Sequence, residues 1–150
     1  MGCRAGRSYP KTHPQIGAIE IGVIMQSACR DGLPNDVLIV EDDPIIALDF
    51  EDTVLGFGVK TARCAASVAH ALAMIEERVP DFALLDVGLI RESSFEVAAR
   101  LATLGVPFAF VTGYGGNRTE GDYADRPRLP KPCTSDALLA VLVRFGCKPG

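Results

Sequence analysis

The stretch Asn35-Asp36-Val37-Leu38-Ile39-Val40-Glu41-Asp42-Asp43-Pro44 decides how the chain is read. Four apolar residues in succession, Val37 to Val40, are what a strand buried on both faces requires, because a half-solvated strand would alternate. An acidic pair follows at once. Asp43 then has the chemistry of a helix N-cap, and Pro44 suits the first helical position, where a missing N–H costs nothing. A buried strand that turns through acids into a helix is the opening of a parallel α/β unit.

The pattern repeats downstream. Ile46, Phe50, Val54 and Phe57 fall at helical spacing, with Gly58 as the stop. Val59 to Arg63 alternates and predicts an edge strand. Ser67 caps a second helix striped by Val68, Leu72 and Ile75, which ends before Pro80. Asp81 to Asp86 is strand again. Ser93 or Ser94 starts a third helix carrying Val97, Leu101 and Leu104, stopped by Gly105. Pro107 to Thr112 and Arg126 to Pro130 are further strands, and Thr134 or Ser135 opens a last helix with Leu138, Val141, Leu142 and Phe145 on one face. Strands alternating with helices predict a parallel sheet with helices on both faces. The crossover from 113 to 125 breaks the rhythm. Four of its thirteen residues are glycine, each costing ~1 kcal/mol against alanine in a helix, so a loop or single turn is expected there.

At 150 residues the chain holds one domain with a proper core. Its net charge of -4 and the lack of a Lys/Arg stripe argue against a nucleic-acid-binding surface. Five cysteines without a CxxC pair (Cys3, Cys29, Cys64, Cys133 and Cys147) indicate neither zinc nor a disulfide framework, so reduced thiols in a cytoplasmic protein are expected. Residues 1–35 read as a disordered extension ahead of a domain spanning 36–147. The apolar segment Ile16 to Met25 is too short to span a bilayer and is interrupted by Glu20.

Strand after strand ends in a polar group: Glu41 and Asp42, then Asp86, then Thr112, then Lys131. In a parallel sheet these ends form one edge, where such folds bind ligands. Three carboxylates together repel unless a cation neutralises them, and Mg²⁺ takes hard oxygen donors and bridges carboxylates to phosphate. Asp86 can then serve as nucleophile in acyl phosphate formation. Thr112 can donate to a phosphoryl oxygen, Lys131 can place a point charge on another, and the Gly88 carbonyl can complete the metal shell. Taken singly, each residue has a structural alternative as a cap, a strand end or a solvated turn. Their joint placement on successive strand ends favours phosphoryl chemistry.

With these residues the chain resembles the receiver domain of two-component response regulators, from about Val37 to Phe145. The markers are Val40-Glu41-Asp42-Asp43-Pro44, Leu84-Leu85-Asp86, Val111-Thr112 and Leu129-Pro130-Lys131-Pro132. The resemblance implies a flavodoxin-like (βα)5 fold of strand order 2-1-3-4-5, with Asp86 as phosphoacceptor. It further implies Mg²⁺ held by Glu41, Asp42, Asp86 and the Gly88 carbonyl, Thr112 as switch hydroxyl, Lys131 as partner of the phosphoryl group, and a cis bond to Pro132. Pro107 to Gly115 is similar to the FAT GUY group of single-domain receivers, with Val111 in place of an alanine and a degenerate fourth helix implied. Three departures stand out. Arg128 occupies a position usually held by a switch aromatic, with Tyr114 as its candidate replacement. Cys133 follows Lys-Pro where an aromatic is usual, and Ile90-Arg91 stands where that group often has glycines.

The expected function is that of a stand-alone receiver phosphorylated on Asp86 by a histidine kinase or phosphotransferase. Gly150 follows the last helix closely, so output is expected through protein contact or as a phosphate shuttle or sink. The resemblance implies no enzyme activity beyond phosphorylation and dephosphorylation of the domain itself. The enzymatic alternative is a phosphatase of the haloacid dehalogenase type. That would need Asp-x-Asp after the first strand, where Glu41 and Asp43 stand. The third reading is a pseudo-receiver scaffold, whose usual sign is a missing acid or lysine; none is missing.

Overall fold

A computed structural model describes residues 29–30, 32–89, 93–113, 123 and 125–146. Five strands, β3 (Asp36–Val40), β4 (Thr61–Ala65), β5 (Phe82–Asp86), β6 (Phe108–Thr112) and β7 (Arg128–Pro130), form one sheet in the order β4-β3-β5-β6-β7. Every pairing in it is parallel. Counted along these strands, this is the 2-1-3-4-5 order of the flavodoxin-like fold, as expected.

Helices α1 (Pro44–Phe57), α2 (Val68–Glu77), α3 (Phe95–Leu104) and α4 (Ser135–Phe145) cover both faces. Alternation along each strand sends successive side chains to opposite sides. Val37, Ile39, Leu84, Ala109 and Val111 therefore pack with Phe50 and Val54 of α1 and Leu138 and Leu142 of α4. Leu38, Val40, Leu85, Phe108 and Phe110 pack with Ile75 of α2 and Val97 and Leu101 of α3. Burial on both faces explains why the strands read as unbroken apolar runs.

Local signals set the helix ends. Asp43 Oδ1 accepts the N–H groups of Ile45 at 2.9 Å and Ile46 at 3.3 Å, with Pro44 first in the helix. Gly58 closes α1 at φ 115°, a left-handed conformation that favours glycine. Its N–H reaches the Leu55 carbonyl at 3.0 Å, and the Val59 N–H reaches Val54 at 3.3 Å. Val59 thus belongs to the helix closure, and the edge strand expected from Val59 begins at Thr61 instead. Ser67 and Thr134 cap α2 and α4 as expected, accepting from His70 at 3.1 Å and Ala137 at 3.1 Å.

Part of the stretch read as an extension is ordered. Strands β1 (Cys29–Arg30) and β2 (Leu33–Pro34) pair antiparallel, and Leu33 is buried in the core that α1 and α4 cover. Pro34 lies so close to Gly146, just after α4, that a Cβ there would stand 2.9 Å from its Cδ. Residues 1–28 lie outside the described residues, as do Tyr114, Ile90-Arg91 and most of the crossover expected to be a loop. No helix among the described residues is long and apolar enough to cross a membrane.

At the N-terminal end of the sheet, Asp36 accepts from Arg63 Nε at 3.1 Å, Arg63 Nη2 at 2.8 Å and Arg78 Nε at 3.0 Å. Arg63 also donates to the carbonyls of Met74 and Arg78, at 3.1 and 2.9 Å. This network joins β3, β4 and the end of α2 at the opposite end from the strand C-termini.

Candidate phosphoacceptor site

The C-terminal edge gathers the residues that the strand ends supply. Glu41 follows β3, is buried, and donates its N–H to the Ala65 carbonyl at 3.0 Å. Its Oε2 accepts the Asp43 N–H at 3.1 Å, so the N-cap residue of α1 also orients the acid before it. Asp86, the last residue of β5, is 4% exposed. Oxygens of Glu41, Asp42 and Asp86 all lie within 4.8 Å of one another.

Lys131 comes to this cluster from the far side. β7 pairs with β6, with Thr112 opposite Pro130, and the Lys131 N–H then donates to the Thr112 carbonyl at 2.9 Å. The Lys131–Pro132 peptide is cis. From there Nζ stands 2.9 Å from Glu41 Oε1 and 3.1 Å from Asp86 Oδ2. The other Asp86 oxygen, Oδ1, accepts the Gly88 N–H at 2.9 Å. Thr112 ends β6 and is buried at the same edge. The six residues expected at the site are therefore on one edge. Gly88 contributes an N–H to Asp86, an interaction that no sequence pattern announces.

Burial pushes the Glu41 carboxyl up from an ordinary 4.5 to about 7; the Lys131 ammonium and the Asp43 N–H oppose this, and the charge of Asp86 adds to it. Burial pulls the Lys131 ammonium down, but Glu41 and Asp86 together outweigh it and leave it above its ordinary value. The site thus holds more acid than one lysine neutralises. Its donors are hard oxygens, so the arrangement suits a hard divalent cation.

Cys133, half-buried after the cis proline, has its thiol pushed up by burial and by Asp49, which does not favour a reactive thiolate. Arg128 is exposed on the edge strand. A cluster of rings was not anticipated: Phe95, Phe108, Phe110 and Tyr123 pack together beside β6. Its only sequence signal is the alternation Phe108-Ala109-Phe110, since Tyr123 sits in a glycine-rich stretch without a period.

A doubly wound parallel sheet that presents a buried aspartate gripped by a lysine, beside two further acids and a threonine, is a receiver-type signalling domain. No family model matches the chain. The phyllosphere-induced regulator PhyR of Methylorubrum extorquens is 34% identical over 85 residues, covering 55% of this chain and 32% of PhyR. The chain thus spans about a third of the length of that curated relative. The solution structure of SdrG from Sphingomonas melonis Fr1 matches with a TM-score of 0.66 and 38% identity, over 76% of this chain and 99% of that one. The PhyR receiver domain of Erythrobacter litoralis matches with a TM-score of 0.61 and 27% identity, over 73% and 88%. The chain belongs to the response regulator receiver family.

Proposed function

We propose that Asp86 accepts a phosphoryl group from a histidine kinase or histidine phosphotransferase. Glu41, Asp42, Asp86 and the Gly88 carbonyl would hold Mg²⁺, which screens the incoming phosphoryl group from the acids. The observation that carries this reading is the Lys131 ammonium, 3.1 Å from Asp86 Oδ2 and 2.9 Å from Glu41 Oε1. That position lets it follow a negative charge built on Asp86. The Gly88 N–H holds Oδ1 at 2.9 Å, which restricts the carboxylate's rotation before attack. Thr112 would donate its hydroxyl to the phosphoryl group, and the movement of β6 would shift the population of a second conformation. A BeF3-activated conformation has been solved for SdrG, 38% identical to this chain, and that likeness supports a comparable transition here. Signalling would then proceed by protein contact in the cytoplasm, or by onward transfer of the phosphoryl group.

The test is incubation with Mg²⁺ and acetyl phosphate followed by intact mass. One phosphate adduct is expected, absent from Asp86→Asn. An adduct that persists in Asp86→Asn, or no adduct on the wild-type chain, would overturn the assignment.

A further inference from the structure

The ring cluster beside β6 lies where three elements of the site meet. Tyr123 is half-buried. Its ring stacks on Phe95 with centroids 6.2 Å apart and planes 25° from parallel. It meets Phe108 at 5.9 Å and Phe110 at 6.1 Å in tilted or edge contacts. Such geometries exploit the ring quadrupoles, so the position of each ring restricts the others.

Each partner leads to a residue of the site. Phe108 and Phe110 lie on β6, and alternation places Thr112 on their face of the strand. Phe95 is the first residue of α3, the helix that follows the turn after Asp86. The Tyr123 carbonyl accepts the Arg126 N–H at 3.1 Å, and the Arg126 guanidinium lies 4.2 Å above the Phe108 ring. The Pro127 carbonyl accepts the Phe110 N–H at 2.9 Å. Arg128–Pro130, the strand that begins there, leads into Lys131.

β7 needs such an anchor. It has three residues and, among the described residues, stands at the edge of the sheet and pairs with β6 alone. Its last residue is a proline, which has no N–H for the ladder. A short edge strand with few ladder bonds depends on side-chain packing for its position.

We propose that Tyr123 is a positioning residue that couples the phosphoacceptor edge to the body of the domain, by holding β7 and its Lys131 against the strand that ends in Thr112. The inference rests on the phosphoacceptor reading above. Close-packed rings do not deform continuously, so a shift of Thr112 and Lys131 toward a charged Asp86 is passed to the Tyr123 ring.

The test uses the full chain labelled with 3-fluorotyrosine, which places one fluorine on each of Tyr9, Tyr114 and Tyr123. The Tyr123 resonance is identified by its loss in Tyr123→Phe. Adding Mg²⁺ and beryllofluoride gives bound beryllofluoride its own fluorine signal, which reports occupancy of Asp86 independently. The expected result is a Tyr123 resonance that moves in proportion to that signal. Bound beryllofluoride with an unmoved Tyr123 resonance overturns the inference and leaves the phosphoacceptor reading standing. Absence of bound beryllofluoride removes that reading, and the inference with it.

A second measurement separates positioning from simple packing. Tyr123→Phe keeps the ring and should phosphorylate with acetyl phosphate at the wild-type rate within about twofold, whereas Tyr123→Leu should slow it roughly tenfold, because misplacement of a reacting group by about 1 Å is costly. Equal rates for folded Tyr123→Leu and wild type would refute the role. Should Tyr123→Leu not fold, the fluorine measurement decides alone, since it uses the wild-type ring.

Discussion

With Mg²⁺ held as proposed above, the buried carboxyl of Glu41 would make that binding pH-dependent in a calculable way. Glu41 takes up a proton at about pH 7 in the folded protein, and a protonated carboxyl is a poor ligand for a divalent cation. Apparent affinity for Mg²⁺ should therefore rise with pH until Glu41 is deprotonated. A site with pKa near 7 is mostly protonated at pH 6 and mostly free at pH 8; the apparent dissociation constant should fall roughly tenfold between them, or ~1.4 kcal/mol. At pH 7 each ion bound should release about half a proton. Calorimetric titration with MgCl₂ at the two pH values, repeated in buffers of different ionisation enthalpy, reads both quantities. In Glu41→Gln, binding should be weaker and lose this part of its pH dependence. The same proton affects folding. Because the folded value lies above the ordinary 4.5, the folded state binds more protons between the two. This contribution to stability is complete below pH 4.5 and is lost as pH rises through about 7 in the absence of metal. Mg²⁺ should restore stability at the high end of that window. Equal Mg²⁺ affinity at pH 6 and 8, with no proton released, would refute the reasoning.

Three further outcomes concern the scaffold. Asp36→Ala leaves Arg63, 5% exposed, without its bidentate partner, and should cost ~3–5 kcal/mol in urea unfolding; a loss under 1 kcal/mol would show that solvent reaches the pair. The Ser94 hydroxyl is wholly buried and has no hydrogen-bond partner among the described residues. Ser94→Ala should therefore stabilise the fold by the ~1–3 kcal/mol that an unsatisfied buried group costs and so raise the melting temperature; a marked fall would show that the hydroxyl is bonded. Gly58→Ala forces a side chain onto φ 115° at the end of α1 and should destabilise by ~1–2 kcal/mol, with an unchanged denaturation midpoint as the contrary result.

Much of this architecture was legible residue by residue. Val37 to Val40 and Phe82 to Leu85 are unbroken apolar runs because both faces of the sheet are covered, and Asp43, Ser67 and Thr134 announced their helices as caps. Such signals act within one turn of helix or one strand, so they survive in a linear reading. Where a local rule met a competing one, the boundary moved: Val59 has strand chemistry, yet its N–H closes α1. Leu33 and Pro34 read as part of an extension because their burial depends on α4 and the core, more than a hundred residues away in sequence for part of that contact.

By itself, the sequence determined the class of fold and the inventory of the edge. A parallel sheet places all its strand C-termini together, so acids, a threonine and a lysine on successive strand ends must share one site. Only the tertiary structure decided how they pair. It placed the ammonium of Lys131 between Glu41 and Asp86, raised the Glu41 carboxyl by burial, and brought Tyr123 onto Phe95, Phe108 and Phe110. Those properties arise from desolvation and from contacts between distant segments, and neither quantity exists until the chain has packed.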